Sequence, residues 1–475
     1  MKQFNKDSKR RNRMKDQTKK RIEHVDILTM DKENSYYPDG VIEINGDTIE
    51  YAGPRLSNPG SVELRRTDGP ESPESPGKGH AAAADSTETD NGDTEVLDGR
   101  GMLALPGFVN AHCHVSMTLF RGYADNLPLW EWLSKRIWPL EDQLRPDDAY
   151  WLSLLGAAEM ISAGVTTFSD MYLFMSETAR AVSDCGMRAV LGRGLSGPDQ
   201  DTERRHREVE DLYERQKDAR GRIHMTIAPH AVYTCTPDYL KTCRQLAEKY
   251  HVGIHIHLCE TEKEVADCVR KYGKTPVKLL RDVGLLELPV TAAHCVHLTY
   301  EDMELLDAHR VKVVHCPSSN MKLASGFAPV DEFLDRGMTV ALGTDGAASN
   351  NNLSIWKEMS LASLIAKGRS GDAKALPAQK AMEMATIQGA KALMLEKEIG
   401  SLEPGKKADI QLIDFKKPHY FPRQDPVVHL VYSGDSADVN TVMINGQIVM
   451  KDGNLVTIDA DRVYREVERI AHRML

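Results

Sequence analysis

Six side chains that could bind a metal or move protons lie at the ends of apolar runs, widely separated along the chain. They are His112, His114, His257, Glu260, His294 and Asp345. Imidazoles and carboxylates are the side chains that hold a divalent cation in an enzyme and transfer protons beside it. Together these residues predict a hydrolytic metal site more strongly than any one of them does.

The first two pieces are a histidine pair and a histidine followed by a glutamate. His112 and His114 end the run LALPGFVNAHCH, and alternation along a strand points both imidazoles to one side. His257 ends a second apolar strand in VGIHIHLCE, and Glu260 follows three residues later. The chain turns there into a polar, helix-like stretch, so this carboxylate sits beside the metal without having to ligate it.

His294 closes the apolar segment VTAAH, and Asp345 follows the run from Val340 to Gly343. Gly346, directly after Asp345, permits a sharp turn. Taken singly, such residues are often structural histidines, turns or helix caps. All four pieces, however, lie at the carboxyl ends of apolar strands that alternate with helical stretches. This face of a parallel β/α barrel is where active sites are built, and the sequence therefore predicts an α/β fold with a (β/α)8 TIM-type barrel.

Both ends of the chain carry hairpin signals. Asn45, Asn445 and Asp452 are each followed by glycine and flanked by short β-like runs. We therefore expect both chain ends to form one small β-sandwich domain. The predicted organisation is a disordered basic tail at 1–23, a first sandwich part at 24–105 with a mobile acidic insertion at 67–94, the metal-dependent barrel at 106–390, and a second sandwich part with a C-terminal helix at 391–475.

Composition narrows the class of protein. A chain of 475 residues with 41% hydrophobic content supports a large barrel and a smaller attached unit. The net charge of −10 argues against nucleic acid as a partner. The sequence contains no run of about 18 apolar residues, so we expect no membrane span. The eight cysteines include no C-x-x-C pair, which is typical of a reducing compartment, so we expect a cytoplasmic protein. A homo-oligomer is compatible with the sequence.

Four segments carry a specific resemblance to a known family. They are PGFVNAHCHVSMTLFRGYADNLPLWEWL, HLCETEKEV, HCPSSNMKLASGFAPV and ALGTDGAASNN. These segments resemble the amidohydrolase superfamily and, within it, the 5-methylthioadenosine/S-adenosylhomocysteine deaminases. The resemblance covers nearly the whole chain beyond the basic tail, and GSLEPGKKADIQLID at 400–414 resembles the family's return into the β domain. The tail and the 67–94 insertion depart from the family, and neither touches a motif.

The resemblance implies a mononuclear metal site. One divalent metal, most often Zn²⁺ with Fe²⁺ or Mn²⁺ as alternatives, would be held by His112, His114, His257 and Asp345, leaving a position for water. Dinuclear relatives need a carboxylated lysine from the fourth barrel strand. The segment RIHMTIAPHAVYT carries no lysine after His224, which favours one metal.

The resemblance also implies the reaction. A metal-dependent hydrolytic deaminase would convert S-adenosylhomocysteine and 5-methylthioadenosine to the inosyl products and ammonia. The metal lowers the pKa of its bound water, and the resulting hydroxide attacks the amino-bearing carbon of adenine. In this scheme Asp345 accepts the water proton, His294 hydrogen-bonds the hydroxide, and Glu260 passes a proton to the ring nitrogen.

Substrate-contacting positions are implied by the same resemblance: Trp132, Glu141, Arg193, His230, Glu260 and Asp345. Trp132 matches an aromatic wall beside the nucleoside, and Glu141 matches a carboxylate that accepts the ribose hydroxyls. His230 matches a purine-contacting residue, while Arg193 matches an arginine that binds the carboxylate of S-adenosylhomocysteine. Whether Arg205 also contacts the substrate is left open. Without the resemblance, Glu141 would be interpreted as a surface acid and Trp132 equally well as a core aromatic.

Two alternatives differ in kind from this hypothesis. The same metal set would serve deamination or dechlorination of another nitrogen heterocycle, such as guanine, cytosine or a triazine. Glu141 and Arg193 favour a ribosyl substrate with an anionic tail instead. The other alternative is a catalytically silent barrel that binds a partner through the basic tail. Glu260 and His294 weigh against it, because a silent protein has no use for proton-transfer residues.

Overall fold

The computed structural model describes residues 19–55, 94–216 and 221–475 of the chain. Residues 1–18 of the predicted basic tail, and all of the predicted acidic insertion except Thr94, lie outside the described residues. The first strand begins at Lys19, five residues before the predicted start of the β domain.

Strands and helices alternate through the middle of the chain, and both ends are rich in strands. The strands are β1 (Lys19–Leu28), β2 (Tyr36–Asn45), β3 (Thr48–Pro54), β4 (Thr94–Asp98), β5 (Met102–Pro106), β6 (Phe108–His114), β7 (Val165–Tyr172), β8 (Arg188–Leu195), β9 (Ile223–Met225), β10 (Ala228–Pro229), β11 (Ile254–Leu258), β12 (Val290–His294), β13 (Lys312–His315), β14 (Val340–Leu342), β15 (Asp345–Gly346), β16 (Ile410–Asp414), β17 (Val439–Ile444), β18 (Gln447–Lys451) and β19 (Asn454–Leu455).

The α-helices span Leu129–Trp132, Trp138–Glu141, Pro146–Ser162, Met175–Cys185, Thr202–Gln216, Pro237–Tyr250, Glu262–Tyr272, Pro276–Asp282, Tyr300–Ala308, Pro317–Lys322, Val330–Asp335, Ala347–Asn350, Ile355–Ser370, Ala378–Ala385, Ile387–Ala392, Pro426–Ser433 and Ala460–Met474. Shorter helical turns of other types span Val115–Phe120, Leu133–Ile137, Leu285–Glu287, Pro418–Tyr420 and Ser436–Asp438.

A parallel barrel occupies the middle of the chain. Around the barrel the strand positions are β6, β7, β8, β9 with β10, β11, β12, β13, and β14 with β15. A parallel bridge between Ile227 and Ile254 joins the fourth and fifth positions. The eighth position pairs with the first through Asp345 and Cys113, which closes the barrel. The predicted α/β class with a (β/α)8 TIM-type barrel is confirmed.

The barrel strands are buried on both faces, as parallel strands covered by helices must be. Every residue of β7, VTTFSDMY, is buried. Polar side chains also link the first and last strand positions, which are neighbours in the barrel. The Asn110 side chain donates to Thr344 Oγ1 at 2.7 Å and accepts from the Thr344 backbone N–H at 3.0 Å. These bonds fix the last strand position beside the first, where the predicted metal ligands lie.

Strands from both chain ends form one sheet. Within the described residues this sheet has nine strands, in the order β19-β18-β17-β16-β5-β1-β2-β3, with β4 also paired to β1. The predicted hairpins are present, because β2 pairs antiparallel with β3 and β17 with β18. Asn445 and Gly446 have φ of 52° and 72°, the left-handed values that a two-residue hairpin turn requires.

The C-terminal helix Ala460–Met474 packs against the barrel helix Pro146–Ser162, and Arg473 donates to Asp148 at 2.5 Å. The eight cysteines all fall within the described residues, where each is buried and free of disulfide bonds. None of the described helices combines the length and the apolar character needed to cross a membrane.

Candidate active site

Four barrel strand positions bring five of the predicted side chains to one point. His112 and His114 end β6, His257 lies near the end of β11, His294 ends β12 and Asp345 begins β15. All five residues stand at the carboxyl-terminal face of the barrel. Side chains separated by up to 233 residues in sequence therefore meet because parallel strands end at one face.

The distances within this group are short. Potential ligand atoms of His112, His257, His294 and Asp345 lie within 4.8 Å of one another. His114 Nε2 lies 3.1 Å from Asp345 Oδ1 and 3.2 Å from His257 Nε2. His112 Nε2 lies 3.5 Å from the same carboxylate oxygen. The fold thus gathers all four predicted ligands and brings His294, predicted as a hydrogen-bonding residue, within ligand distance of three of them.

The ring nitrogens of these histidines fit a bound cation. Nδ1 of His114 and of His257 lie 2.8 Å from the carbonyl oxygens of Met171 and His230. Carbonyl oxygens only accept, so each Nδ1 donates, and in the neutral ring each Nε2 then keeps a lone pair. Among the described residues, the buried Nε2 of His112 has no hydrogen-bond partner. Converging Nε2 lone pairs beside a carboxylate are the donor set that suits a divalent metal.

The Asp345 carboxylate is ionised and tightly oriented. Burial raises its pKa, but the neighbouring imidazoles of His112 and His114 outweigh burial and hold the pKa well below its usual range. The hydroxyl groups of Ser319 and Ser349 donate to Oδ2 at 2.6 and 2.8 Å. One carboxylate oxygen is therefore anchored by hydroxyls while the other faces the histidines.

Glu260 and His294 stand side by side next to this group. Burial raises the pKa of Glu260 above its ordinary value, so the carboxyl group holds a proton more readily than an exposed glutamate. Ser325 Oγ donates to Glu260 Oε1 at 3.3 Å, and Glu260 Oε2 lies 3.9 Å from His294 Nε2. His294 Nδ1 lies 2.8 Å from Asn320 Oδ1, an acceptor that leaves Nε2 facing the cavity.

The turn that carries Glu260 depends on Glu264, which the sequence analysis did not single out. The backbone N–H groups of Cys259 and Glu260 donate to the two carboxylate oxygens of Glu264 at 3.1 and 2.8 Å. Thr261 Oγ1 caps the following helix by accepting from the Glu264 N–H. A Thr with Glu three positions later is a sequence signal for a helix start, and that signal could have found this residue.

The predicted substrate-contacting residues line the same space. A cavity of about 1050 Å³ is lined by Trp132, Glu141, Arg193 and His230 as well as by the predicted catalytic residues. Trp132 is buried, and burial raises the pKa of Glu141. Tyr172 OH donates to Glu141 Oε1 at 2.6 Å. Tyr172 was not predicted, although its position at the end of β7 is a site-forming position in such a barrel.

Arg193, near the end of β8, and Arg205, on the helix Thr202–Gln216, both line the cavity. Arg193 donates through Nε to Glu208 and through Nη1 to the Gly194 carbonyl. Arg205, which the sequence left open, also lines the cavity and donates to Asp199 at 2.7 and 3.0 Å. His230 directly follows β10, and its ring Nδ1 lies 3.0 Å from Thr234 Oγ1.

Comparison with known proteins gives these observations a family context. A sequence model of the Amidohydrolase family matches residues 103–449. A 5-methylthioadenosine/S-adenosylhomocysteine deaminase of Caldanaerobacter subterraneus subsp. tengcongensis is 49% identical over 384 residues, which cover 80% of this chain and 88% of that protein. The Pelotomaculum thermopropionicum protein of the same name is 46% identical over 455 residues, covering 96% and 98%. The crystal structure of a zinc-bound adenosine deaminase from Xanthomonas campestris superposes with a TM-score of 0.85 at 29% identity, covering 96% of this chain and 98% of that one.

Proposed function

The chain belongs to the amidohydrolase family, and we propose that it is a metal-dependent deaminase of S-adenosylhomocysteine and 5-methylthioadenosine. The products are the corresponding inosyl thioethers and ammonia. Similar proteins that align with 80% and 96% of this chain carry this name. The observation that carries the proposal is a single cavity lined both by Glu260, His294 and Asp345 and by Glu141 and Arg193.

We assign the metal to His112, His114, His257 and Asp345, with His294 beside them. When bound, a divalent metal, Zn²⁺ by preference with Fe²⁺ or Mn²⁺ as alternatives, supplies a Lewis acid that makes a water molecule more acidic. The chain's own contribution is to keep the Nε2 lone pairs of the histidines aimed at one point, through the Nδ1 hydrogen bonds behind them.

Proton transfer falls to three residues. Asp345 accepts a proton from the attacking water, whose oxygen forms the new bond to the amino-bearing carbon. Glu260 delivers a proton to the ring nitrogen, which takes up the electron pair displaced from the C=N bond. Burial raises the pKa of Glu260 and favours the protonated carboxyl that this step needs. His294, oriented by Asn320, hydrogen-bonds the developing charge. Asp345 then passes its proton to the amino group, Glu260 takes up the hydroxyl proton as the carbonyl forms, and the C–N bond breaks to release ammonia.

Substrate orientation falls to the other wall of the cavity. Glu141 accepts the two vicinal ribose hydroxyls, because a carboxylate offers two acceptor oxygens, and Tyr172 holds it in place. Trp132 packs against the nucleoside. His230, with Nδ1 fixed by a neighbouring hydroxyl, contacts the purine, and Arg193 binds the carboxylate of S-adenosylhomocysteine.

Ammonia release from the metal-loaded protein tests this proposal. The substrates are S-adenosylhomocysteine, 5-methylthioadenosine, adenosine, guanine, cytosine and an aminotriazine, with chelator-treated protein as the control. We expect the adenosine thioethers to give the highest kcat/KM. A higher value for guanine, cytosine or the triazine would point to another heterocycle, and no turnover of any substrate by metal-replete protein would support the silent-barrel alternative.

We further propose a cytoplasmic location, because eight free, buried cysteines suit a reducing compartment. Fractionation of cells that produce the protein checks this location, and recovery outside the cytoplasm would contradict it. A homo-oligomer is compatible with the proposed activity, and light scattering on the purified protein measures the number of subunits.

A further inference from the structure

A further buried histidine, His255, lies behind the proposed metal ligands and has no part in the proposed reaction. His255 is on β11, two residues before His257, so both rings face the barrel interior. Its Nε2 lies 2.9 Å from Nδ1 of His112. On its other side, its Nδ1 lies 3.1 Å from Oγ of Ser169 on β7. All of these residues are at most 5% exposed.

Only one arrangement of protons lets His112 serve as a ligand through Nε2. That nitrogen must keep its lone pair, so the neutral ring of His112 carries its hydrogen on Nδ1. Nδ1 then donates to Nε2 of His255, which must accept. The ring of His255 therefore carries its own hydrogen on Nδ1 and donates it to the Ser169 hydroxyl oxygen. The three residues form a chain of hydrogen bonds donated from β6 through β11 to β7.

His112 differs in this respect from the other two proposed histidine ligands. His114 and His257 are anchored by backbone carbonyl oxygens, which the strand geometry supplies whatever the neighbouring side chains are. The Nδ1 hydrogen of His112, in contrast, has the side chain of His255 as its acceptor. If that side chain lost its acceptor, the hydrogen would be buried without a partner, and the ring would be free to turn away from the metal.

We propose that His255 is a positioning residue that fixes the tautomer and the ring orientation of His112 for metal binding, and that Ser169 in turn fixes His255. The inference rests on the proposed metal site. Partners that orient a metal-binding histidine usually contribute about 10- to 100-fold in metal affinity, and we expect an effect of that size here.

The test is the Zn²⁺ affinity of the full chain, measured by competition with a chromophoric chelator. His255→Phe keeps a ring of similar shape without an acceptor, and we expect its affinity to fall by about 10- to 100-fold. His255→Gln places an amide oxygen near the former Nε2 and should stay within about threefold of the unmodified chain. Ser169→Ala should lose less Zn²⁺ affinity than His255→Phe, because the hydrogen bond between His255 and His112 is kept.

A second readout reports geometry rather than affinity. With Co²⁺ in place of Zn²⁺, the visible absorption spectrum reflects the ligand arrangement. We expect His255→Phe to change that spectrum and His255→Gln to preserve it. Should His255→Phe fail to fold, His255→Asn replaces it, because the shorter amide can reach Ser169 but not His112. The same loss of affinity is expected for it.

Two controls separate this inference from the metal site itself. His315 is a buried histidine at the end of β13 whose Nδ1 has no partner among the described residues, and His315→Phe should keep the metal. His112→Ala should lose it, and retention there would overturn the proposed metal site. If His112→Ala loses the metal while His255→Phe binds it normally, or if His255→Gln is as weak as His255→Phe, the positioning role is wrong.

Discussion

Glu260 and Asp345 are carboxyl groups in one cavity whose surroundings act on them in opposite directions. Burial raises the pKa of Glu260, whereas the adjacent imidazoles more than offset burial at Asp345 and lower its pKa. Pairs of acids separated in this way are suited to different roles, one donating a proton and the other accepting one. The assignment of roles in the proposed reaction follows from these neighbours.

Replacing Glu260 tests the proton-donating role. In Glu260→Gln the side chain keeps its size but can no longer transfer a proton. We therefore expect kcat to fall by about 10²- to 10⁴-fold. Bound metal should be unchanged, because this residue is not a proposed ligand. Ammonia release and metal analysis give the two readouts. Glu262→Gln, at an exposed position two residues away, is the matched control. Retained activity in Glu260→Gln would contradict the assigned role.

Replacing Arg193 tests recognition of the substrate tail. S-adenosylhomocysteine carries a carboxylate and 5-methylthioadenosine does not, and a hydrogen bond to a charged group contributes about 1.5–3 kcal/mol. Arg193→Ala should therefore lower kcat/KM for S-adenosylhomocysteine by about 10- to 100-fold and affect 5-methylthioadenosine far less. Arg207→Ala, at an exposed position on the nearby helix, should change neither value. Equal losses for both substrates would show that Arg193 supports the cavity wall instead.

The strand ends that carry the site have unusual backbone geometry. Cys259, His294, Cys295 and Asp345 have φ of 52°, 72°, 49° and 59°, a left-handed region that residues other than glycine seldom adopt. The turns after β11 and β12 also hold each other, since the Cys295 N–H donates to the Leu258 carbonyl at 3.0 Å. Such strain persists at functional sites only where surrounding contacts fix it.

Glu264 is one of those contacts, and its replacement tests the turn. A glutamine at this position can accept only one of the two backbone N–H groups, so Glu264→Gln leaves the other buried without an acceptor. We expect the free energy of unfolding to fall by about 1–3 kcal/mol, and kcat to fall as Glu260 shifts, with metal still bound. Denaturant titration and steady-state kinetics measure the two effects.

Asp302 provides the matched control for that variant. It is also buried, and its carboxylate accepts the backbone N–H of Thr299 at 3.0 Å at the start of another helix. Asp302→Asn should lower stability to a similar extent but leave kcat unchanged, because it does not line the cavity. If both variants lose stability and neither loses kcat, the turn at Glu264 does not control Glu260.

At the scale of the whole molecule, a buried ion pair joins the barrel to the sheet formed by the chain ends. Arg188, at the start of β8, donates to Asp409 at 2.9 and 3.1 Å and to the Asn445 side chain at 2.9 Å. The Asn445 N–H donates to Asp409 as well, at 2.7 Å. Both charged groups are almost fully buried, so neither could be left alone without a large desolvation penalty.

Breaking this pair should destabilise the protein without altering the chemistry. Arg188→Met leaves the Asp409 carboxylate buried and unpaired, and we expect the free energy of unfolding to fall by about 3–5 kcal/mol. Adding Asp409→Leu should restore much of the loss. Thermal and denaturant unfolding measure stability. We expect kcat/KM to be unchanged, because Arg188 lies at the opposite end of its strand from the site. Arg180→Met, at an exposed ion pair, should cost below about 1 kcal/mol.

Metal removal should also lower the stability of the whole fold. A ligand that binds only the folded state stabilises it by about 2.7 kcal/mol at a hundredfold excess over its Kd. The proposed ligands come from three of the eight barrel positions, so we expect chelation to lower Tm and added Zn²⁺ to restore it. His112→Ala should show a much smaller response in differential scanning calorimetry. An identical Tm with and without metal would contradict the proposed site.

The barrel, the hairpins at both ends and the site residues that line the cavity could all be predicted from the sequence. Each of these is encoded locally. Alternation of strands and helices, glycine after Asn445, and polar residues such as His294 at the ends of apolar runs are all visible within short windows. Because parallel barrel strands end at one face, the prediction that His257 and Asp345 lie at the carboxyl ends of apolar runs was enough to predict that they meet.

The side chains that orient those residues could be identified only in the folded structure. Tyr172 with Glu141, His255 with His112, and Arg188 with Asp409 are pairs 31, 143 and 221 residues apart. No local pattern relates the two members of such a pair. Their contact depends on how far each strand is shifted against its neighbour and on the side-chain rotamers that the packed interior allows. Strand endings place the reactive groups, and packing across the barrel selects the partners that orient them.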